Sequence, residues 1–239
     1  TSTKRLGTGR GERAAVSTLF QQVKHGCNVQ FSRHLRSFVN YITDPDGFFE
    51  AHAEDPDWLV PSLVVLANGV LAAVGAWYTV QFATRGLDSA AVTTLPAIVG
   101  VVTGIAVPVV LWVVFAALFY GLSALFDGEG SFTTTLWLVG WGYGPALIAG
   151  LVSMLAVYYA GQAVPPAASF QEYPAVQRQI QTHQYVEWSR IVQLAVTLWQ
   201  GVLWTYAVRH ARNLDLREAA IVVALPVVAS IGLTVNSLL

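Results

Sequence analysis

Residues 95–126 read LPAIVGVVTGIAVPVVLWVVFAALFYGLSALF. Thirty-two residues pass without an Asp, Glu, Lys, Arg or His. A hydrocarbon core about 30 Å thick takes about 20 helical residues to cross. Water-facing helices need a polar stripe, and this stretch offers none. Four further stretches share its character: 59–84, 132–163, 191–208 and 219–238. The fold class that follows is all-α, a polytopic bundle of five transmembrane helices.

Composition agrees. The chain has 239 residues, 54% hydrophobic and only 11% charged, against about 25% charged in ordinary soluble domains. Seven of its 13 Lys and Arg precede the first span: Lys4, Arg5, Arg10, Arg13, Lys24, Arg33 and Arg36. No compact apolar core of a cleavable signal peptide is visible there, so the first span is expected to direct insertion. The sequence opens at Thr1, which leaves open whether residues precede it.

Three domains are expected. Residues 1–13 form a flexible basic tail. Gly7, Gly9 and Gly11 alternate in it, but no Gly-Lys-Ser/Thr follows, so it is not a P-loop. Residues 14–58 form a cytoplasmic, interfacial segment. Within it, Val16 to Ile42 place apolar residues at three- and four-residue spacing, with Lys24, Arg33 and Arg36 elsewhere on the surface. Such a basic amphipathic helix suits an anionic lipid surface, and packing of its apolar face on the bundle is the compatible alternative. Pro45 disfavours helix at Asp44, and Asp46-Gly47 is turn chemistry. Phe48 and Phe49 are expected to dip into the interface, and Trp58 suits the headgroup level. Residues 59–239 form the five-helix domain.

Basic residues orient it. Ten lie on the N-terminal side, counting Arg209, Arg212 and Arg217. Three lie on the other: Arg85, Arg178 and Arg190. This bias predicts a cytoplasmic N-terminus and an outside C-terminus in a cell membrane.

Several chemistries are missing. The five histidines are scattered, and the one cysteine, Cys27, allows no intrachain disulfide. No HExxH, Gly-x-Ser-x-Gly or paired intramembrane carboxylate occurs, so no metal, cofactor or catalytic residue is expected. A nucleic-acid partner is not expected either, since membrane-proximal basic residues more often meet anionic lipid. At bilayer depth only amides and hydroxyls stand out. Gln193, Thr197, Gln200 and Trp204 share one helical face by spacing. With Asn68, the glutamines make a candidate polar pocket. Amides of this kind more often hydrogen-bond neighbouring helices, and the reading favours that role. Gly140-Trp-Gly-Tyr-Gly-Pro145 is expected to kink the third span. Gly140 and Gly144 there admit a neighbouring backbone, and Pro145 opposes the carbonyl of Trp141.

Three parts of the chain resemble the Yip1-domain family in the form found in archaea and bacteria. They are Thr43-Asp-Pro-Asp-Gly-Phe-Phe-Glu50, Gly130-Ser-Phe-Thr-Thr-Thr-Leu136 with Gly140-Trp-x-x-x-Pro145, and the terminal hairpin with Leu214-x-Leu-Arg217-x-Ala-Ala220. The resemblance covers about 43–239. Trp141 stands where the family usually has Tyr. The eukaryotic Asp-Leu-Tyr-Gly-Pro motif is missing, so a Rab-type GTPase partner is not implied. The resemblance implies a five-span membrane protein without catalysis, and eukaryotic members are linked to vesicle traffic and membrane shape. The leading expectation is therefore a scaffold or membrane-organising protein acting through lipid and other membrane proteins. The alternative is a transporter or channel component for an uncharged or weakly polar solute. A cavity reaching the amides favours the alternative, and tight small-residue packing favours the scaffold.

Overall fold

The computed structural model describes residues 39–87 and 90–236. Lys24, Arg33, Arg36 and nearly all of the proposed interfacial helix lie outside them. The chain divides into two compact units, residues 1–48 and 49–239. Among the described residues there is no strand. The helices in order are α1 (39–43), α2 (Pro45–Glu54), α3 (Leu59–Thr84), α4 (Ala90–Ser123), α5 (Phe132–Trp141), α6 (Ala146–Ala163), α7 (Tyr173–Gln181), α8 (Gln184–Arg212) and α9 (Leu216–Asn236).

In the first unit, helix breaks at Asp44, ahead of Pro45, and resumes at once as α2. Asp46-Gly47 is helical rather than a turn. Asp44 Oδ1 accepts the N–H of Gly47 at 3.1 Å, which caps the new helix. Phe48 and Phe49 are 4% and 0% exposed. The Phe48 ring meets Tyr41 edge-on at 5.2 Å.

In the second unit, five helices are long and apolar enough to cross a membrane: α3, α4 with its 3-10 extension to Phe126, α6, α8 and α9. In lipid an unpaired peptide group has no water to bond, so each crossing closes its own hydrogen bonds as a helix. The third apolar stretch differs from a single kinked span. It is two helices, α5 and α6. Ten residues of α5 rise only ~15 Å, and α6 makes the longer part of the crossing. The fourth helix begins at Gln184, several residues before the expected start near Arg190.

α3 and α4 interlock through small residues. A Cβ built on Gly104 would lie 2.6 Å from Ala73, one on Gly69 3.1 Å from Ile105, and one on Gly100 3.2 Å from Ala76. The opposite side of α4 is bare: only 6% of its most apolar window is buried. Two cores follow. One gathers Trp112, Phe119, Val139, Tyr143, Trp204, Val208 and Val223. The other joins Ala83, Val157, Ala160, Val176 and Ile180. The polar excursion after α6 is thus anchored, with Ala167 N–H donating to Ala83 O at 3.0 Å and α7 burying Val176 and Ile180.

Candidate functional site

The expected polar pocket exists as a cavity of about 590 Å³, and Asn68, Gln193 and Gln200 all line it. α3, α4, α6, α8 and α9 form its walls. Gln181 of α7 reaches one end, with its Nε2 3.5 Å from Thr79 Oγ1. Phe115, Tyr143 and Trp204 close the other end. The Tyr143 and Trp204 rings stand 5.5 Å apart, and Phe115 and Trp204 5.2 Å. From Gln193 to Trp204 the α8 wall is ~16 Å long. Asn68 sits nine residues into α3, ~14 Å from its start and ~24 Å from its end, so the aromatic floor lies near mid-bundle. The cavity is a half-membrane vestibule that runs from this aromatic end to Gln181 of α7.

None of its lining residues is Asp, Glu, Lys, Arg, His or Cys. Most hydroxyls along the shaft are already engaged by their own helices. Thr79 donates to Gly75 O, Thr197 to Gln193 O, Ser230 to Pro226 O and Thr234 to Ser230 O. Asn68 Nδ2 donates to Val64 O at 2.9 Å and to Tyr143 O at 3.2 Å. Gln193 Nε2 reaches Thr197 Oγ1 at 3.3 Å. The Tyr143 hydroxyl is sealed off and makes no hydrogen bond, although buried polar groups nearly always do. Gln200 is 5% exposed on the cavity wall.

The broken third span builds the floor. Between α5 and α6 the chain tightens into three-residue hydrogen bonds. Gly142, Tyr143 and Gly144 donate to the carbonyls of Val139, Gly140 and Trp141. Two indoles bond the same helix from outside: Trp112 Nε1 donates to Leu136 O at 2.7 Å and Trp204 Nε1 to Val139 O at 3.0 Å. Gly140 is pressed by Pro61 and Trp112, and a Cβ on Gly142 would collide with the Trp204 indole. The neighbours at these glycines are therefore side chains rather than a backbone. Gly144 and Trp141 are half-buried, and Pro145 is the N-cap of α6. Among the interface candidates, Trp58 is 60% exposed at the start of α3. Tyr143, Ser153 and Gln181 also line the cavity, and the spacing of amides along one helix does not reveal them. Tyr143 was hidden inside a glycine motif.

At the opposite end of the bundle, Arg212 is only 3% exposed. Its Nε donates to Ser123 Oγ at 2.8 Å, and its two terminal nitrogens donate to the carbonyls of Gly130 and Gly128. Tyr120 lies 4.2 Å beneath the guanidinium. This ties the α4–α5 loop to the end of α8.

A family model described as the Yip1 domain matches residues 39–236, most of the chain. The chain belongs to the Yip1 domain family. An uncharacterised protein of Methanocaldococcus jannaschii is 28% identical over 131 residues, 52% of this chain and 91% of that relative. No solved structure matches. This Yip1 domain is an integral membrane protein of archaeal type, with its apolar helices in contact with lipid. Among the described residues, no group of three His, Cys, Asp or Glu is placed to hold a metal ion.

Proposed function

We propose that this Yip1 domain is a non-enzymatic membrane protein that binds an uncharged, hydrogen-bonding molecule in its half-membrane vestibule, as a binding or transport component. The observation that carries the reading is a cavity of about 590 Å³ whose wall holds the amides of Asn68, Gln181, Gln193 and Gln200 and no charged side chain. An ionic ligand does not fit, because no side chain there offsets the cost of removing a charge from water.

The scaffold role is the second reading, favoured by the bare outer side of α4 and the small-residue seam behind it. A cytoplasmic N-terminus, placement in the cell membrane and anionic lipid at Lys24, Arg33 and Arg36 belong to the same proposal, resting on the basic-residue bias. The α7 end of the vestibule then lies on the outer side.

Thermal melting in nanodiscs tests the ligand reading. Glycerol, hexanol, hexanoate and hexylammonium are added at matched concentration. At least one neutral probe should raise Tm, the charged ones should not, and the rise should vanish in Gln200→Leu. If no neutral probe moves Tm, or Gln200→Leu responds like wild type, the reading is wrong.

A further inference from the structure

Resting on that reading, the spacing of unused hydrogen-bonding groups along the vestibule narrows the ligand class. Thr79, Thr197, Ser230 and Thr234 donate to their own helices. Other wall groups are not spent. The Ser153 hydroxyl, the Gln200 amide and the side-chain oxygens of Asn68 and Gln193 make no hydrogen bond to the protein. None of them is sealed off as the Tyr143 hydroxyl is, so each keeps surface on the cavity. They stand at successive depths. Asn68 is tied to Tyr143 O at the aromatic end. Gln200 lies about one turn from Trp204 along α8, and Gln193 ~10 Å further on. Ser153 stands between these levels, next to Met154, whose Cα faces Gly75 about two turns along α3 from Asn68. The rest of the wall is apolar, as in most small-molecule sites, and the volume of about 590 Å³ lies inside their usual range of about 300–1,000 Å³.

We infer that the vestibule takes an uncharged polyol, a short chain with a hydroxyl on most of its carbons. A hydroxyl both donates and accepts. It therefore suits an amide oxygen, an amide N–H or a serine hydroxyl equally, and a chain of hydroxyls meets groups at several depths at once. A molecule with a single polar head satisfies the groups at one depth and leaves the others facing its tail, where each loses water without gaining a partner. An ionised ligand finds no counter-charge on the wall. The carbon-bound hydrogens of the polyol lie against Leu71, Leu111 and Met154.

The test is the rate of N-ethylmaleimide labelling of the full chain in nanodiscs, in a Cys27→Ser background. The thiol is placed at Met154→Cys on the cavity wall or at Gln177→Cys, exposed on α7 outside the cavity. Erythritol, ribitol, sorbitol, hexanol and hexanoate are compared at matched concentration. Ribitol or sorbitol should slow labelling at position 154 at least about threefold, as a mostly occupied site requires, and erythritol should slow it less. Position 177 should not respond, which separates occupancy from a general effect of polyol on the solvent. Hexanol and hexanoate should give little protection. Ser153→Ala and Gln200→Leu should each remove most of the protection by polyol. Both should melt no lower than the parent without polyol, since each removes a group that has no protein partner. That readout separates lost binding from lost folding. Hexanol protecting as well as sorbitol would overturn the inference, as would protection unchanged in both variants or equal slowing at position 177. If the polyols fail while a neutral probe raises Tm, the polyol is wrong and the uncharged-ligand reading stands. If no additive slows position 154, or it never reacts, and no neutral probe raises Tm, both fall.

Discussion

Arg212 shows how far one residue departs from its sequence appearance. By sequence it is one of ten charges that set orientation. In the fold it is buried, and its planar fork bonds a hydroxyl and two loop carbonyls over a tyrosine ring. No carboxylate is among these partners. Arg212→Ala should cost about 2 kcal/mol, the scale of hydrogen bonds to a charged group, and free the α4–α5 loop. Arg212→Lys keeps the charge but not the fork, so most of the loss should remain. Melting curves and protease sensitivity at Gly128–Gly130 read both effects. A lysine variant as stable as wild type would show that charge alone suffices. Gln200 was legible for the opposite reason. Its spacing from Gln193 and Thr197 put three polar groups on one face of a helix. Tyr143 was not legible, because the glycines and proline around it spoke only of backbone.

Among the elements, the α5–α6 break is the most constrained. Gly130 opens the approach to α5 at φ 113°, a region that disfavours side chains, and its Cβ position is occupied by the carbonyl of Ala211. Gly142 then seats Trp204. Gly142→Ala must displace that indole from Val139 O, and overpacking of this kind costs about 1–3 kcal/mol. Gly121→Ala is the control. Nothing lies within 4 Å of its Cβ position, and replacing Gly by Ala inside a helix gains up to about 1 kcal/mol. Opposite shifts in Tm are expected, and equal shifts would contradict the packing argument. The kink was legible because Pro and Gly mark backbone directly. Its partners were not, since Trp112 and Trp204 lie far away along the chain.

At the scale of the molecule, five spans were legible because lipid leaves the backbone no choice but helix. Their ends were less so. α8 starts at Gln184, since a helix continues past the hydrocarbon wherever its side chains find water or protein, and α7 just before it buries Val176 and Ile180. The vestibule itself could not be read, because an opening among helices depends on which faces meet. It is also where the account is most exposed. Cysteine accessibility tests it directly, with Cys27→Ser as the background. Ser153→Cys lies on the vestibule wall, and Val65→Cys lies in the packed core three residues from Asn68. Neutral N-ethylmaleimide, which crosses bilayers, should label position 153 and spare position 65. Equal protection of both positions would mean that the bundle holds no open vestibule, and the account would fail.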